Sequence, residues 1–136
     1  MSGTMTAQDD DDRFAIPSRP ERRYPRGGGV EYEGGTTFSL AAVPEREDAW
    51  LGGVVRSVLD GEGYTYGDWL DLPMPLYLVH DEATGDVFRV SVRDSRVRLH
   101  VLPETETVGL RRFFDRLRGH TDEIEWEVTR RVEGGV

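Results

Sequence analysis

Three short runs of alternating apolar and polar side chains follow one another between residues 76 and 102. Such alternation is typical of β-strands that bury one face and expose the other. The runs are Leu76 to Asp81, Val87 to Arg93, and Arg96 to Leu102. The last two are joined by Asp94-Ser95, which has the length of a tight hairpin turn. The pattern therefore predicts an antiparallel meander.

The Asp94-Ser95 turn fixes which residues of the second and third strands lie opposite each other. The predicted polar pairs are Arg93 with Arg96, Ser91 with Arg98, and Arg89 with His100. The predicted apolar pairs are Val92 with Val97, Val90 with Leu99, and Phe88 with Val101. The apolar pairs belong on the core side. The polar side carries a row that we call the arginine face: Arg89, Arg93, Arg96 and Arg98.

The first strand of the meander takes its register from the turn before Asp86. A loop made of Ala83-Thr84-Gly85 sets Leu78 opposite Val90 and His80 opposite Phe88. This register places His80 on the apolar side and Tyr77 beside the arginine face. It also separates His80 from His100, so we expect no histidine metal site.

Two apolar stripes with helical spacing flank the meander. The first predicts a helix that opens after Pro44 and ends at Gly61; its stripe is Leu51, Val54, Val55, Val58 and Leu59. The second predicts a helix from about Glu106 to Arg118, with Thr105 or Thr107 as its N-cap. Its stripe is Leu110, Phe113, Phe114 and Leu117.

Further strands are predicted at both ends of the folded part. Val30 to Glu33 and Thr36 to Val43 have the pattern of a hairpin, and Glu123 to Val132 alternates as a last strand. The element order is (β)βαβββαβ. We therefore predict an α+β fold in which two helices pack on one face of an antiparallel sheet of about five strands.

Residues 1–29 are polar and rich in proline, glycine and charge, which predicts a disordered arm. Residues 30–136 form the single predicted α+β domain. Arg22 and Arg23 stand in the basic part of the arm, which suggests a segment that threads along RNA. The favoured alternative is a solvated tail without a ligand.

Composition indicates the habitat and excludes several chemistries. All 17 basic residues are arginine, the net charge is −9 and cysteine is absent. The balance resembles that of proteins from salt-loving archaea, and it argues against nonspecific nucleic-acid binding by the whole surface. No phosphate-binding loop, dinucleotide fingerprint or nucleophile elbow is present. We expect a cytoplasmic, non-catalytic protein without cofactor, metal or membrane contact.

The connector Tyr64–Pro75 holds an unusual number of large apolar side chains. These residue types are enriched in protein interfaces, which predicts a partner-binding set. Its members are Tyr64, Tyr66, Trp69, Leu72 and Met74. The favoured alternative is that the connector folds back and caps the edge of the sheet.

The arginine face also has two interpretations. It can bind phosphates as an anion or nucleic-acid platform, with Tyr77 stacking on bases. Alternatively, and favoured, the last strand pairs with Arg96–Leu102, so that Glu123, Glu125 and Glu127 form a ladder of ion pairs with the arginines.

Together these features predict a small binding or regulatory module that acts through protein–protein contact, with a homodimer through a sheet edge as a further expectation. The alternative is a nucleic-acid-associated protein that uses the arginine face and the basic arm. A weaker third hypothesis is a hydrolase with Asp68 and Asp71 as paired carboxylates.

Overall fold

The computed structural model describes residues 14–17, 19–23, 26–27, 31–68, 76–122 and 124–133. The strands are β1 (Glu21–Arg23), β2 (Glu31–Glu33), β3 (Gly35–Val43), β4 (Tyr64–Asp68), β5 (Leu76–Asp81), β6 (Val87–Arg93), β7 (Arg96–Val101) and β8 (Glu125–Glu133). The helices are α1 (Asp48–Leu59) and α2 (Thr107–Gly119). Within the described ranges, no helix combines the length and the apolar character that crossing a bilayer requires.

The main sheet has six antiparallel strands in the order β4-β5-β6-β7-β3-β8. Both helices pack on the same face of it. The predicted α+β architecture is confirmed, with one more strand than expected. The additional strand is β4, which pairs with β5 in the part of the chain that we predicted to be a loop.

The predicted hairpin between Val30–Glu33 and Thr36–Val43 is wrong. Strand β2 pairs instead with β1, in a separate two-stranded sheet. Strand β3 pairs with β7 on one side and with β8 on the other. Gly34 and Gly35 both have positive φ angles, 75° and 110°, so the chain turns sharply between the two sheets.

The core lies between the helices and the sheet. Both predicted helical stripes are buried apart from the half-buried Val54, and Phe113 of α2 packs edge-on against Phe88 of β6 with ring centroids 5.8 Å apart. Burial of one large apolar side chain contributes roughly 1.5–3 kcal/mol. The two stripes therefore hold the helices on the sheet without any cross-link.

Phe14 also belongs to this core. Its side chain is 1% exposed, and its ring centroid lies 5.1 Å from that of Phe38 and 5.3 Å from that of Phe114. The backbone oxygen of Phe14 accepts a hydrogen bond from the hydroxyl of Thr107 at 2.7 Å. The predicted domain boundary at residue 30 therefore cuts off a core residue. The part of the arm around Phe14 is ordered, because Phe14 packs in the core.

The register of β6 on β7 is the predicted one at every position. The register of β5 on β6 is shifted by one residue, because the loop spans residues 82–85 and not 83–85. Val79 lies opposite Phe88, and the amide of Asp81 donates to the carbonyl of Asp86 at 2.8 Å. A shift of one residue turns every side chain of a strand to the other face. Tyr77 therefore enters the core, and His80 leaves it.

Candidate functional site

The candidate site is the face of the sheet opposite the helices, which no helix covers among the described residues. Arg89 and Arg93 of β6 and Arg96 and Arg98 of β7 stand on this side, since the intervening residues are buried in the core. The structure thus brings all four residues of the predicted arginine face together.

The Asp94-Ser95 turn holds these arginines side by side. Both turn residues have positive φ angles, 55° and 60°, as a two-residue hairpin turn requires. The amide of Ser95 donates to a carboxylate oxygen of Asp48 in α1 at 2.7 Å, which ties the turn to the helical layer. The register then sets Arg93 opposite Arg96, and neighbouring side chains in such pairs are about 5 Å apart at Cβ.

The predicted ladder of ion pairs with the last strand is wrong. Strand β3 lies between β7 and β8, and its residues opposite Arg98 and His100 are the neutral Ser39 and Thr37. The alternation of β8 is as predicted: Glu125 and Glu127 turn to this face, whereas Trp126 lies on the core side. The acidic row therefore stands one strand away from the arginines.

The carboxylate of Asp94 contacts two members of the arginine face, Arg93 and Arg98. Its Oδ2 lies 3.9 Å from Nε of Arg93 and 3.8 Å from Nη2 of Arg98. Such long, exposed pairs contribute little, about 0–1 kcal/mol. Asp94 therefore offsets only part of the positive charge of Arg93 and Arg98.

His100 lies on the arginine face, opposite Arg89. Burial, and after it the nearby charges of Arg89 and Arg98, lower the pKa of His100 to about 4. The imidazole is therefore neutral at pH 7. Its Nε2 lies 2.8 Å from Oγ of Ser91, so the two side chains share a hydrogen bond on the arginine face.

The Ser91–His100 pair has the distance of a nucleophile and its base. Ser91 is only 2% exposed, however, and a base of pKa about 4 is poorly matched to proton transfer at neutral pH. The arrangement instead satisfies a buried hydroxyl and a half-buried imidazole with one bond. The sequence placed both residues on the polar side but did not reveal this diagonal contact.

The shift in β5 changes two other predicted members of this side. Tyr77 is 3% exposed and packs against the ring of Tyr66, with centroids 5.6 Å apart, so it cannot stack on a ligand at the arginine face. His80 shares the uncovered side with His100, contrary to our expectation, although strand β6 runs between their strands. In the part of the chain that the structure describes, no three histidine or carboxylate side chains form a group able to hold a metal ion.

The predicted partner-binding set is divided by the structure. Tyr64 lies in the core, where burial, followed by the charge of Asp81, raises its pKa to about 12. Tyr66 is half-buried; its hydroxyl donates to the carboxylate of Asp60, and this bond raises the pKa of Tyr66. The remaining members, Trp69, Leu72 and Met74, lie outside the described residues, as does Asp71. Partner binding through those three stays a prediction.

The arginines of the arm are not part of the arginine face. Arg22 and Arg23 belong to β1, outside the six-stranded sheet. Arg19 is anchored at the start of α2, where its guanidinium donates to the carbonyl of Thr105 at 2.9 Å and pairs with Glu106 at 3.2 Å. This anchor and the burial of Phe14 attach the arm to the domain.

Comparison of the chain with protein-family models, with curated proteins and with solved structures gave no match in any of the three.

Proposed function

We propose that this protein is a non-catalytic module that binds the phosphate backbone of a nucleic acid across the arginine face. The observation that carries the proposal is the grouping of four arginines on the side of the sheet that no helix covers among the described residues, with the neutral strand β3 between them and the acidic row of β8. Guanidinium groups bind phosphate oxygens in pairs of parallel hydrogen bonds, which suits arginine better than lysine to this task.

The charge of the rest of the molecule directs a nucleic acid to one part of the surface. A net charge of −9 repels a polyanion from most of the surface. The arginine face groups four positive charges on one side of the sheet, and two of them, Arg89 and Arg98, act after burial to lower the pKa of His100. In a salt-rich cytoplasm long-range attraction is screened within a few ångströms, so direct arginine–phosphate contacts would supply the affinity.

The proposal predicts little discrimination between base sequences. Phosphate contacts position a nucleic acid without reading its bases. Tyr77, which the sequence offered as a stacking platform, lies in the core instead. We therefore expect binding to depend on charge spacing and salt more than on the identity of the bases.

Two facts favour this hypothesis over protein contact at the Tyr64–Pro75 connector, which the sequence alone favoured. Tyr64 serves the core, and Tyr66 is bonded to Asp60. The expected neutralisation of the arginine face by β8, which was the main argument against a ligand there, does not occur.

The test is a titration of polyuridylate, a probe whose bases stack weakly, with the full chain over a series of KCl concentrations. The variant carries Arg93→Gln, Arg96→Gln and Arg98→Gln together. The matched control carries Arg56→Gln, Arg111→Gln and Arg118→Gln, which are exposed on the two helices. Both variants lose the same charge.

Loss of three phosphate contacts should reduce the slope of log K against log salt by about 2, because each contact to a single strand contributes about 0.7. The control should keep the slope of the natural chain. Equal losses in both variants, or no binding at any salt concentration, would contradict the proposal. Equal binding of polyglutamate would point to an acidic protein partner instead, and would also contradict it.

A further inference from the structure

Strand β8 forms one edge of the six-stranded sheet. It is nine residues long and pairs with β3 along its whole length, from Glu125 to Glu133. Its sequence, EWEVTRRVE, contains neither proline nor glycine. Natural proteins usually shorten, kink or cover such an edge, because its free backbone groups can pair with another strand. Val132, near its end, is 48% exposed.

We propose that two copies of this chain pair through β8, antiparallel, with the two-fold axis at Val128. In such a two-fold dimer, β8 of one copy pairs with β8 of the other. The side chains of this strand must therefore be complementary to those of a second, antiparallel copy of the same strand. Residues that lie opposite each other in an antiparallel pair point to the same side of the sheet. The sheets of the two copies therefore join with their helices on a common side only when each residue faces a partner residue from the same face of β8. This condition restricts the axis to a residue position and excludes a position between residues.

The charges of β8 select the register. With Val128 on the axis, Glu125 lies opposite the partner's Arg131, and Glu127 lies opposite the partner's Thr129. Opposite charges across strands are favourable, and like charges directly opposite are not. An axis at Thr129 would instead set Glu125 opposite the partner's Glu133. Within β8, the register around Val128 sets no glutamate opposite another.

A second favourable contact between the two copies lies on the helix side of β8. In this register Trp126 lies opposite the partner's Arg130. Beside Trp126 is an open hollow of about 710 Å³, whose lining residues include Phe114, Asp115 and Asp122. Arg118 also lines the hollow. Two aspartates against one arginine, next to an indole, suit an entering arginine side chain.

The pairing has a consequence for the surface of the assembly. The two-fold axis is perpendicular to the joined sheets, so both arginine faces point to the same side. The interface lies on β8, whereas the arginine face lies on β6 and β7. Dimer formation and nucleic-acid binding can therefore be tested separately, and the failure of one leaves the other standing.

The test is sedimentation equilibrium of the full chain in multimolar KCl, which gives the mass and the dimer dissociation constant. Three charge reversals are compared: Glu125→Arg, Arg131→Glu and the two combined. All three change exposed side chains. Glu127→Arg is the control, because it faces a neutral threonine in the proposed register.

We expect a dimer for the natural chain, with dissociation constants about tenfold larger or more for each single reversal. The combined variant should recover most of the loss, and the control should stay close to the natural chain. A monomer at every concentration, or single reversals without effect, would overturn the proposal. So would a failure of the double variant to recover, or a larger effect of Glu127→Arg than of Glu125→Arg.

Discussion

The carboxylate of Asp86 accepts a hydrogen bond from the amide of Gly109 at 3.0 Å. Its other oxygen accepts from the amide of Glu106 at 2.8 Å, so a side chain from the turn before β6 caps the first turn of α2. The predicted caps, Thr105 and Thr107, do not serve there: the hydroxyl of Thr105 donates to the carbonyl of Val87. Burial raises the pKa of Asp86, although its backbone hydrogen bonds act in the opposite direction.

This cap leaves no room for a side chain at position 109. A Cβ on Gly109 would lie 2.1 Å from Oδ2 of Asp86. We predict that Gly109→Ala lowers the free energy of unfolding by about 1–3 kcal/mol, because the cap must move. Gly53→Ala in α1 is the matched control, since nothing lies within 4 Å of its added Cβ. That change should stabilise the protein by roughly 0.5–1 kcal/mol. Urea unfolding of both variants measures the difference, and equal effects would contradict the assigned cap.

Phe14 should contribute as much stability as a central core residue, despite its position in a polar segment. We predict that Phe14→Ala lowers the free energy of unfolding by about 3–5 kcal/mol, the usual cost of removing a buried phenyl ring. Pro17→Ala, three residues away and exposed, should change it by less than about 0.5 kcal/mol. A Phe14→Ala variant as stable as the natural chain would show that the ring does not occupy the core.

The lowered pKa of His100 predicts a specific pH dependence of the free energy of unfolding. Its pKa is 6.5 when unperturbed and about 4 in the fold. Between these values the unfolded chain binds more protons than the folded one, so the free energy of unfolding rises with pH from 4 to 6.5 and is constant above. The full shift corresponds to about 3–4 kcal/mol, as an upper limit for a half-buried ring.

The measurement is the difference in unfolding free energy between the natural chain and His100→Gln over this pH range. The other titrating groups are common to both proteins and largely cancel. The natural chain should lose stability relative to the variant as the pH falls from 6.5 to 4. A difference that does not vary with pH would mean that His100 is not shifted by its surroundings.

The local parts of the fold were predictable from the sequence, and the register of β6 on β7 is the best example. Asp94-Ser95 can close only a short turn, and the apolar pairs on the two strands then agree with a single register. Strand β5 was ambiguous because both of its faces are partly apolar: Leu76 and Leu78 alternate with Tyr77 and Val79. One further residue in the loop before β6 was enough to exchange the core face and the outer face of β5.

Contacts between distant parts of the chain were not predictable. The position of β3 between β7 and β8 depends on pairing across most of the sequence, and no local pattern specifies it. That one strand decides whether glutamates or neutral side chains face the arginines. Phe14 was missed for a related reason, since it stands in a segment rich in charge, proline and glycine and its partners, Phe38 and Phe114, are far away along the chain.

The pKa of His100, measured by NMR with and without saturating polyuridylate, tests binding at the arginine face most directly. Phosphates beside Arg89 and Arg98 would offset the charges that help to lower this pKa. We therefore predict that it rises from about 4 towards its ordinary value when the probe binds. An unchanged pKa in a protein that binds the probe would place the nucleic acid elsewhere and contradict the proposed function.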